Sequence, residues 1–232
     1  MFDPRERLIV ALDVGSASAA EKIVAAVGDG ALTYKVGLQL YTAEGPRIVK
    51  DLVAAGRRVF LDLKYHDIPN TVGAAVAEAR ELGVSMLTVH AGGGTKMLRA
   101  ACDAIGELRN QIKVLGVTVL TSMDELDLQE VGVDTPLPDQ VFRLGALALA
   151  AGCQGIVASA REASKLRELG EQFLIVTPGV RRAHGEPGDQ ARVVTPAEAI
   201  RAGATHIVVG RPITAASNPA AESKIILAEM SV

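Results

Sequence analysis

The chain has 232 residues, 49% hydrophobic and 22% charged, which is the profile of a globular protein with a sizeable core. A formal net charge of -3 with no basic run argues against nucleic acid as the main partner. No apolar run reaches membrane-spanning length, and Met1-Phe-Asp-Pro leads into the apolar Leu8–Asp13 with no room for a signal peptide, so the expected compartment is the cytoplasm.

Aromatics make up only 3% and Trp is absent, so Ala, Val, Leu and Ile must fill the core. Short runs rich in Val, Ile and Leu alternate with segments of helical period along the whole chain. Strands are expected at Leu8–Asp13, Thr33–Gly37, Val59–Leu63 and Met86–His90, then at Val114–Leu120, Gly155–Ala158, Phe173–Thr177 and His206–Val209. The helices between them include Ala19–Val27, Gly45–Ala55, Val72–Leu82, Lys96–Leu108, Val141–Ala151, Arg161–Leu169 and Pro196–Arg201. An Ala-Gly or Leu-Gly pair before several strands, as at Ala55-Gly56, Leu82-Gly83, Ala151-Gly152 and Ala202-Gly203, marks the helix ends.

Eight near-continuously apolar strands, each followed by a helix, imply parallel strands covered on both faces. The expected fold is therefore α/β, a single (β/α)8 TIM barrel forming one domain over residues 1–232. A doubly wound open sheet is the alternative, but the first strand runs into Asp13-Val-Gly15-Ser-Ala-Ser, which lacks the Gly-rich fingerprint of that fold. Cys102 and Cys153 sit in Ala-rich apolar surroundings and are expected as buried thiols rather than a disulfide or ligand pair.

Two connections are long. Thr121–Gln140 holds a short helical pattern, Asp124–Val131, followed by an expected turn at Asp134-Thr-Pro-Leu-Pro138. Pro178–Arg192 is rich in Gly and Arg with little apolar period, and loops of this length in a compact domain serve as lids or binding loops.

The most informative stretch is Val59-Phe-Leu-Asp-Leu-Lys-Tyr-His-Asp-Ile-Pro-Asn-Thr71. Strand alternation sends Asp62 and Lys64 to one side and Leu61 and Leu63 to the other, with Asp67 just past the strand and Pro69 ending it. Charges inside an apolar strand are costly unless paired, so the pattern points to a site or, in the plainer alternative, to a structural Asp–Lys ion pair. The other strand ends favour the site: Asp13, Lys35, His90, Thr121 and Ser122, Pro178-Gly-Val-Arg181 and Gly210-Arg211 all fall at the rim where barrel active sites form. The last two ends suit a phosphate, with Gly179 and Gly210 allowing close backbone approach and Arg211 offering a planar fork; Arg181 and Gln190 could close over it. Metal binding is less persuasive. His66, His90, His184 and His206 show no ligand spacing, and Lys35 and Lys64 would compete with a cation beside the carboxylates.

Taken in order, Ala11-Leu-Asp13, Tyr34-Lys-Val-Gly37, Phe60-Leu-Asp-Leu-Lys-Tyr-His-Asp-Ile-Pro69, Val89-His-Ala-Gly-Gly93, Leu120-Thr-Ser122, Thr177-Pro-Gly179 and Val209-Gly-Arg211 resemble the orotidine 5'-monophosphate decarboxylase family over essentially the whole chain. The Asp-x-Lys-x-x-Asp core alone is shared with other sugar-phosphate barrels; relatives that use Mg²⁺ carry an acidic residue where this chain has Lys35.

The resemblance implies decarboxylation of orotidine 5'-monophosphate to uridine 5'-monophosphate, the last step of de novo pyrimidine synthesis, with neither metal nor cofactor. It implies a homodimer with active sites at the subunit interface. Asp13 would bind the ribose, Lys35 would join a charge network with Asp62 and Lys64, and Asp67 and Thr71 would reach the neighbouring site. Thr121 or Ser122 would contact the pyrimidine, while Gln190, Gly210 and Arg211 would hold the phosphate, with Pro178 and Arg181 on the closing loop. Lys64 would stabilise the carbanion at C6 and deliver its proton.

Overall fold

Parallel strands close on themselves in sequence order, and the last returns to pair with the first, Leu8 against Ile207 and Ile9 against Val208. The computed structural model describes residues 3–181 and 194–231. Its strands are β1 (Leu8–Ala11), β2 (Thr33–Gly37), β3 (Arg58–Tyr65), β4 (Met86–His90), β5 (Lys113–Val117), β6 (Gly155–Val157), β7 (Leu174–Thr177) and β8 (His206–Val209). Around them run α1 (Pro4–Arg7), α2 (Ala17–Val27), α3 (Leu38–Glu44), α4 (Arg47–Ala54), α5 (Pro69–Glu81) and α6 (Gly94–Ala104). The second half carries α7 (Glu125–Glu130), α8 (Leu137–Ala150), α9 (Ala160–Leu166), α10 (Pro196–Arg201), α11 (Arg211–Thr214) and α12 (Pro219–Glu229). The expected (β/α)8 barrel is the observed one.

Period-two alternation sorts each strand into two burial environments. Ile9, Phe60, Met86, Leu115, Val176 and Val208 pack together inside the barrel. Their neighbours Val10, Leu61, Leu87, Val114 and Ile207 belong to a second layer shared with the helices. Two steps further along the inward series, apolar residues give way to polar ones or glycine. Ala11 leads to Asp13, Phe60 to Asp62, Met86 to Thr88, and Val208 to Gly210. The barrel therefore has a dry middle and a polar C-terminal rim.

The opposite end is closed by charge. Arg58 pairs with Glu6 at 2.9 Å, and Arg7 Nε donates to the Thr205 carbonyl at 2.7 Å. His206, 4% exposed beneath them, has its pKa driven down to about 4 by burial and by Arg7 and Arg58. Cys102 and Cys153 are buried free thiols with sulfurs 3.6 Å apart, and their mutual hydrogen bond and burial push the Cys153 thiol pKa far up. Among the described residues no helix is long and apolar enough to cross a membrane.

Local differences from expectation have physical causes. β5 stops at Val117 rather than Leu120 because its partner β6 ends at Val157, whose carbonyl takes the final bonds from Thr118 N and Oγ1. The expected turn at Pro136 and Pro138 is instead the start of α8, where proline's fixed φ and missing N–H are compatible with a first helical turn. The helices not anticipated are the short α1 and α11 and the longer α3 and α12. α12 lacks an apolar stripe and buries Ser223 beside Ile226, and a Cβ on Gly30 would lie 2.8 Å from Ser223 Cβ.

Candidate active site

Four charged side chains from three neighbouring strands meet at the rim. Lys35 is 9% exposed in the middle of β2, and its Nζ lies 2.8 Å from Asp13 Oδ1 just past β1. The same ammonium is 3.9 Å from Asp62 Oδ2 on β3. Asp62 in turn receives Lys64 Nζ at 3.0 Å on each carboxylate oxygen. The result is an alternating line, Asp13–Lys35–Asp62–Lys64, in which each inner charge has opposite neighbours on both sides. That arrangement offsets the cost of burying Lys35 and Asp62.

The simple alternation expected for β3 does not account for how Lys64 reaches Asp62. Between the pairs Leu61↔Leu87 and Tyr65↔Val89, β3 advances four residues while β4 advances two. The strand bulges there, and Lys64 is the only non-glycine residue with positive φ (51°) among the described residues. Such a conformation costs about 1–3 kcal/mol and persists only where the surroundings impose it. Thr88, fully buried on β4 opposite the bulge, bonds to both sides of it: Lys64 N–H donates to its Oγ1 at 2.9 Å, and Oγ1 donates to Asp62 Oδ1 at 3.0 Å.

These groups open onto a cavity of about 480 Å³ at the barrel mouth. Val117, Val119 and Val157 contribute apolar lining, and Thr121, Pro178, Gly179, Arg181, Gly210 and Arg211 also line it. The charged lining residues are Asp13 and Asp62 against Lys35, Lys64, Arg181 and Arg211, two negative and four positive. A net charge of +2 in a partly enclosed pocket favours an anionic ligand.

Most residues singled out from the sequence come together here, and some do not. Thr121 lines the cavity, whereas Ser122 is exposed and does not. Asp67 and Thr71 are exposed and lie outside this chain's own cavity; Asp67 Oδ1 accepts the Ile68 N–H at 2.6 Å. Gln190 and His184 lie outside the described residues. The described residues on either side of them are joined, Arg181 N–H donating to the Val194 carbonyl at 2.9 Å.

His90 and His66 stack with ring centroids 5.0 Å apart and planes 10° from parallel. His90 Nδ1 accepts from Gly92 N–H, and burial, then His66 and Lys64, hold its pKa below the ordinary histidine range. Among the described residues no cluster of three or more metal-ligating side chains is present.

Sequence reading missed Thr88 and the apolar wall. Thr88 was detectable in principle as an inward polar residue two positions before His90 in the strand Met86-Leu-Thr-Val-His90.

Residues 6–226 match the family model described as the orotidine 5'-phosphate decarboxylase / HUMPS family. A curated protein named orotidine 5'-phosphate decarboxylase from Geotalea daltonii is 48% identical over 234 residues, spanning 98% of this chain and 97% of its own. One of the same name from Halorhodospira halophila is 49% identical over 226 residues, spanning 97% and 96%. Among solved structures, the crystal structure of orotidine 5'-phosphate decarboxylase from Lactobacillus acidophilus matches with a TM-score of 0.87 at 38% identity, over 98% of this chain and all of that one.

Proposed function

The chain belongs to the orotidine 5'-phosphate decarboxylase / HUMPS family and is a carboxy-lyase, and from that premise we propose how its rim performs the reaction. The substrate is orotidine 5'-monophosphate and the products are uridine 5'-monophosphate and CO₂, a step of pyrimidine biosynthesis carried out in the cytoplasm. The observation that carries this reading is the alternating Asp13–Lys35–Asp62–Lys64 line in a cavity also lined by Arg181 and Arg211.

Breaking the C6–CO₂ bond leaves its electron pair in the plane of the pyrimidine ring, where the π system cannot spread it. Charge fixed in advance near C6 must stabilise it. Lys64 supplies that charge, held on both oxygens of Asp62. The ammonium then gives one N–H proton to C6, CO₂ departs, and solvent returns a proton to the amine. Lys35 keeps Asp62 in line while Asp13 meets the ribose. Thr121, which also lines the cavity, contacts the pyrimidine. Arg211, Gly210 and Gln190 take the phosphate with Pro178 and Arg181, so that binding energy from a remote group orders the site around the reacting carbon.

Asp67 and Thr71 complete the active site of a second copy in a homodimer. Their exposure away from this chain's cavity supports that reading. So do Leu38 and Ile68, 59% and 66% exposed at the starts of the segments that follow β2 and β3.

Turnover in D₂O tests the chemistry. Orotidine 5'-monophosphate should be converted to uridine 5'-monophosphate deuterated at C6, because the ammonium protons exchange with solvent. Bound but unconverted nucleotide would reject the proposal.

A further inference from the structure

We propose that Thr88 is a positioning residue for Lys64, its buried hydroxyl closing a ring of hydrogen bonds that fixes both the backbone of that lysine and the carboxylate holding its ammonium. This rests on the reading of Lys64 as the proton donor.

The direction of each bond follows from what the groups can do. A backbone N–H can only donate, so Thr88 Oγ1 accepts from Lys64 at 2.9 Å. An ionised carboxylate can only accept, so the single hydroxyl proton goes to Asp62 Oδ1 at 3.0 Å. That same oxygen accepts from Lys64 Nζ at 3.0 Å, and the ring closes on the residue where it began. The bulge explains why such a ring is needed. The β3–β4 pairing skips from Leu61 to Tyr65, so Lys64 has no ladder partner of its own and stands at φ 51°. The Thr88 hydroxyl takes the place of the missing ladder bond and holds the lysine in a conformation it would otherwise leave.

Thr88 is fully buried and does not line the cavity. Its removal therefore takes away no contact with bound nucleotide, and the effect must fall on turnover. Valine has the same shape but neither donates nor accepts, leaving the Lys64 N–H without this acceptor and Asp62 one donor short. Serine keeps both functions.

The test measures kcat and KM for orotidine 5'-monophosphate and Kd for uridine 5'-monophosphate in wild type, Thr88→Val, Thr88→Ser and Lys64→Ala, with turnover referred to nucleotide-binding sites. Thr88→Val should lose about 10- to 100-fold in kcat, the effect of one hydrogen bond to a charged group, with KM and Kd changed by less than about threefold. Thr88→Ser should recover most of the loss. Wild-type kcat in Thr88→Val, equal losses in the two variants, or a parallel rise in Kd overturns the proposal. If Thr88→Val cannot be recovered folded, Thr88→Cys, a weak donor and acceptor, should show the same kcat-selective loss, and wild-type turnover there is equally fatal. An active Lys64→Ala would refute the role of Lys64 itself. An inactive Lys64→Ala beside an undiminished Thr88→Val would refute only the role of Thr88.

Discussion

At Gly37 the place of a side chain is taken by an ammonium. A Cβ built there would lie 2.8 Å from Lys35 Nζ and 3.4 Å from Asp13 Oδ1. The backbone is extended (φ -100°), so alanine fits it without strain, and the atom it meets is the movable end of a lysine. Gly37→Ala should therefore leave stability within about 1 kcal/mol of wild type in thermal denaturation. Activity should fall about tenfold or more, because Lys35 is displaced from between its two carboxylates and misplacement by about 1 Å is expensive in a preorganised site. A stable variant with full activity would show that the Lys35 position does not matter. The motif Tyr34-Lys-Val-Gly37 was legible in the sequence, but its glycine read as a strand end. The contact behind it depends on a lysine two residues away curling back past it, which no spacing rule reveals.

Among the elements, β3 shows most clearly what a sequence can and cannot convey. Its charges betrayed the site because Asp and Lys are costly in an apolar strand. Its bulge stayed hidden, since alternation assumes an unbroken pleat and the residue that holds the bulge, Thr88, sits on the next strand. The barrel was legible because eight buried strands leave eight apolar runs, whereas α12 was not, because it buries a serine beside Ile226 and shows no stripe. The β3–α5 connection carries the next prediction. Asp67 lies in it and Thr71 in the first turn of α5 that follows, both exposed and neither lining this chain's cavity. If they serve a second copy, then Lys64→Ala and Asp67→Ala, each inactive alone, should complement when mixed and allowed to exchange subunits. Half the resulting dimers would carry one intact site, restoring about a quarter of wild-type activity. No recovery, with exchange demonstrated by mass, would place Asp67 in its own chain's site or in none.

At the scale of the whole molecule the two ends of the barrel have opposite duties. The rim gathers the charges to which the proposal assigns the chemistry, and the base buries His206 under Arg7 and Arg58 to close the core. His206 has a folded pKa of about 4 against an ordinary 6.5, so between these values the unfolded chain takes up a proton that the folded one refuses. Stability should be unaffected by this group above pH 6.5 and should fall as pH drops from 6.5 toward 4, by a limit on the order of 3 kcal/mol. Denaturant unfolding across that window should show a shallower slope in His206→Gln; an unchanged slope would mean that His206 is already charged in the fold. The central claim concerns the other end, that a lysine held by the Asp62 carboxylate performs the decarboxylation without a metal. The most direct measurement follows the loss of orotidine 5'-monophosphate absorbance in excess chelator, for wild type and Lys64→Ala side by side. Undiminished turnover by wild type and near-background turnover by Lys64→Ala is the predicted result. Wild-type activity abolished by the chelator, or substantial activity without Lys64, would contradict it.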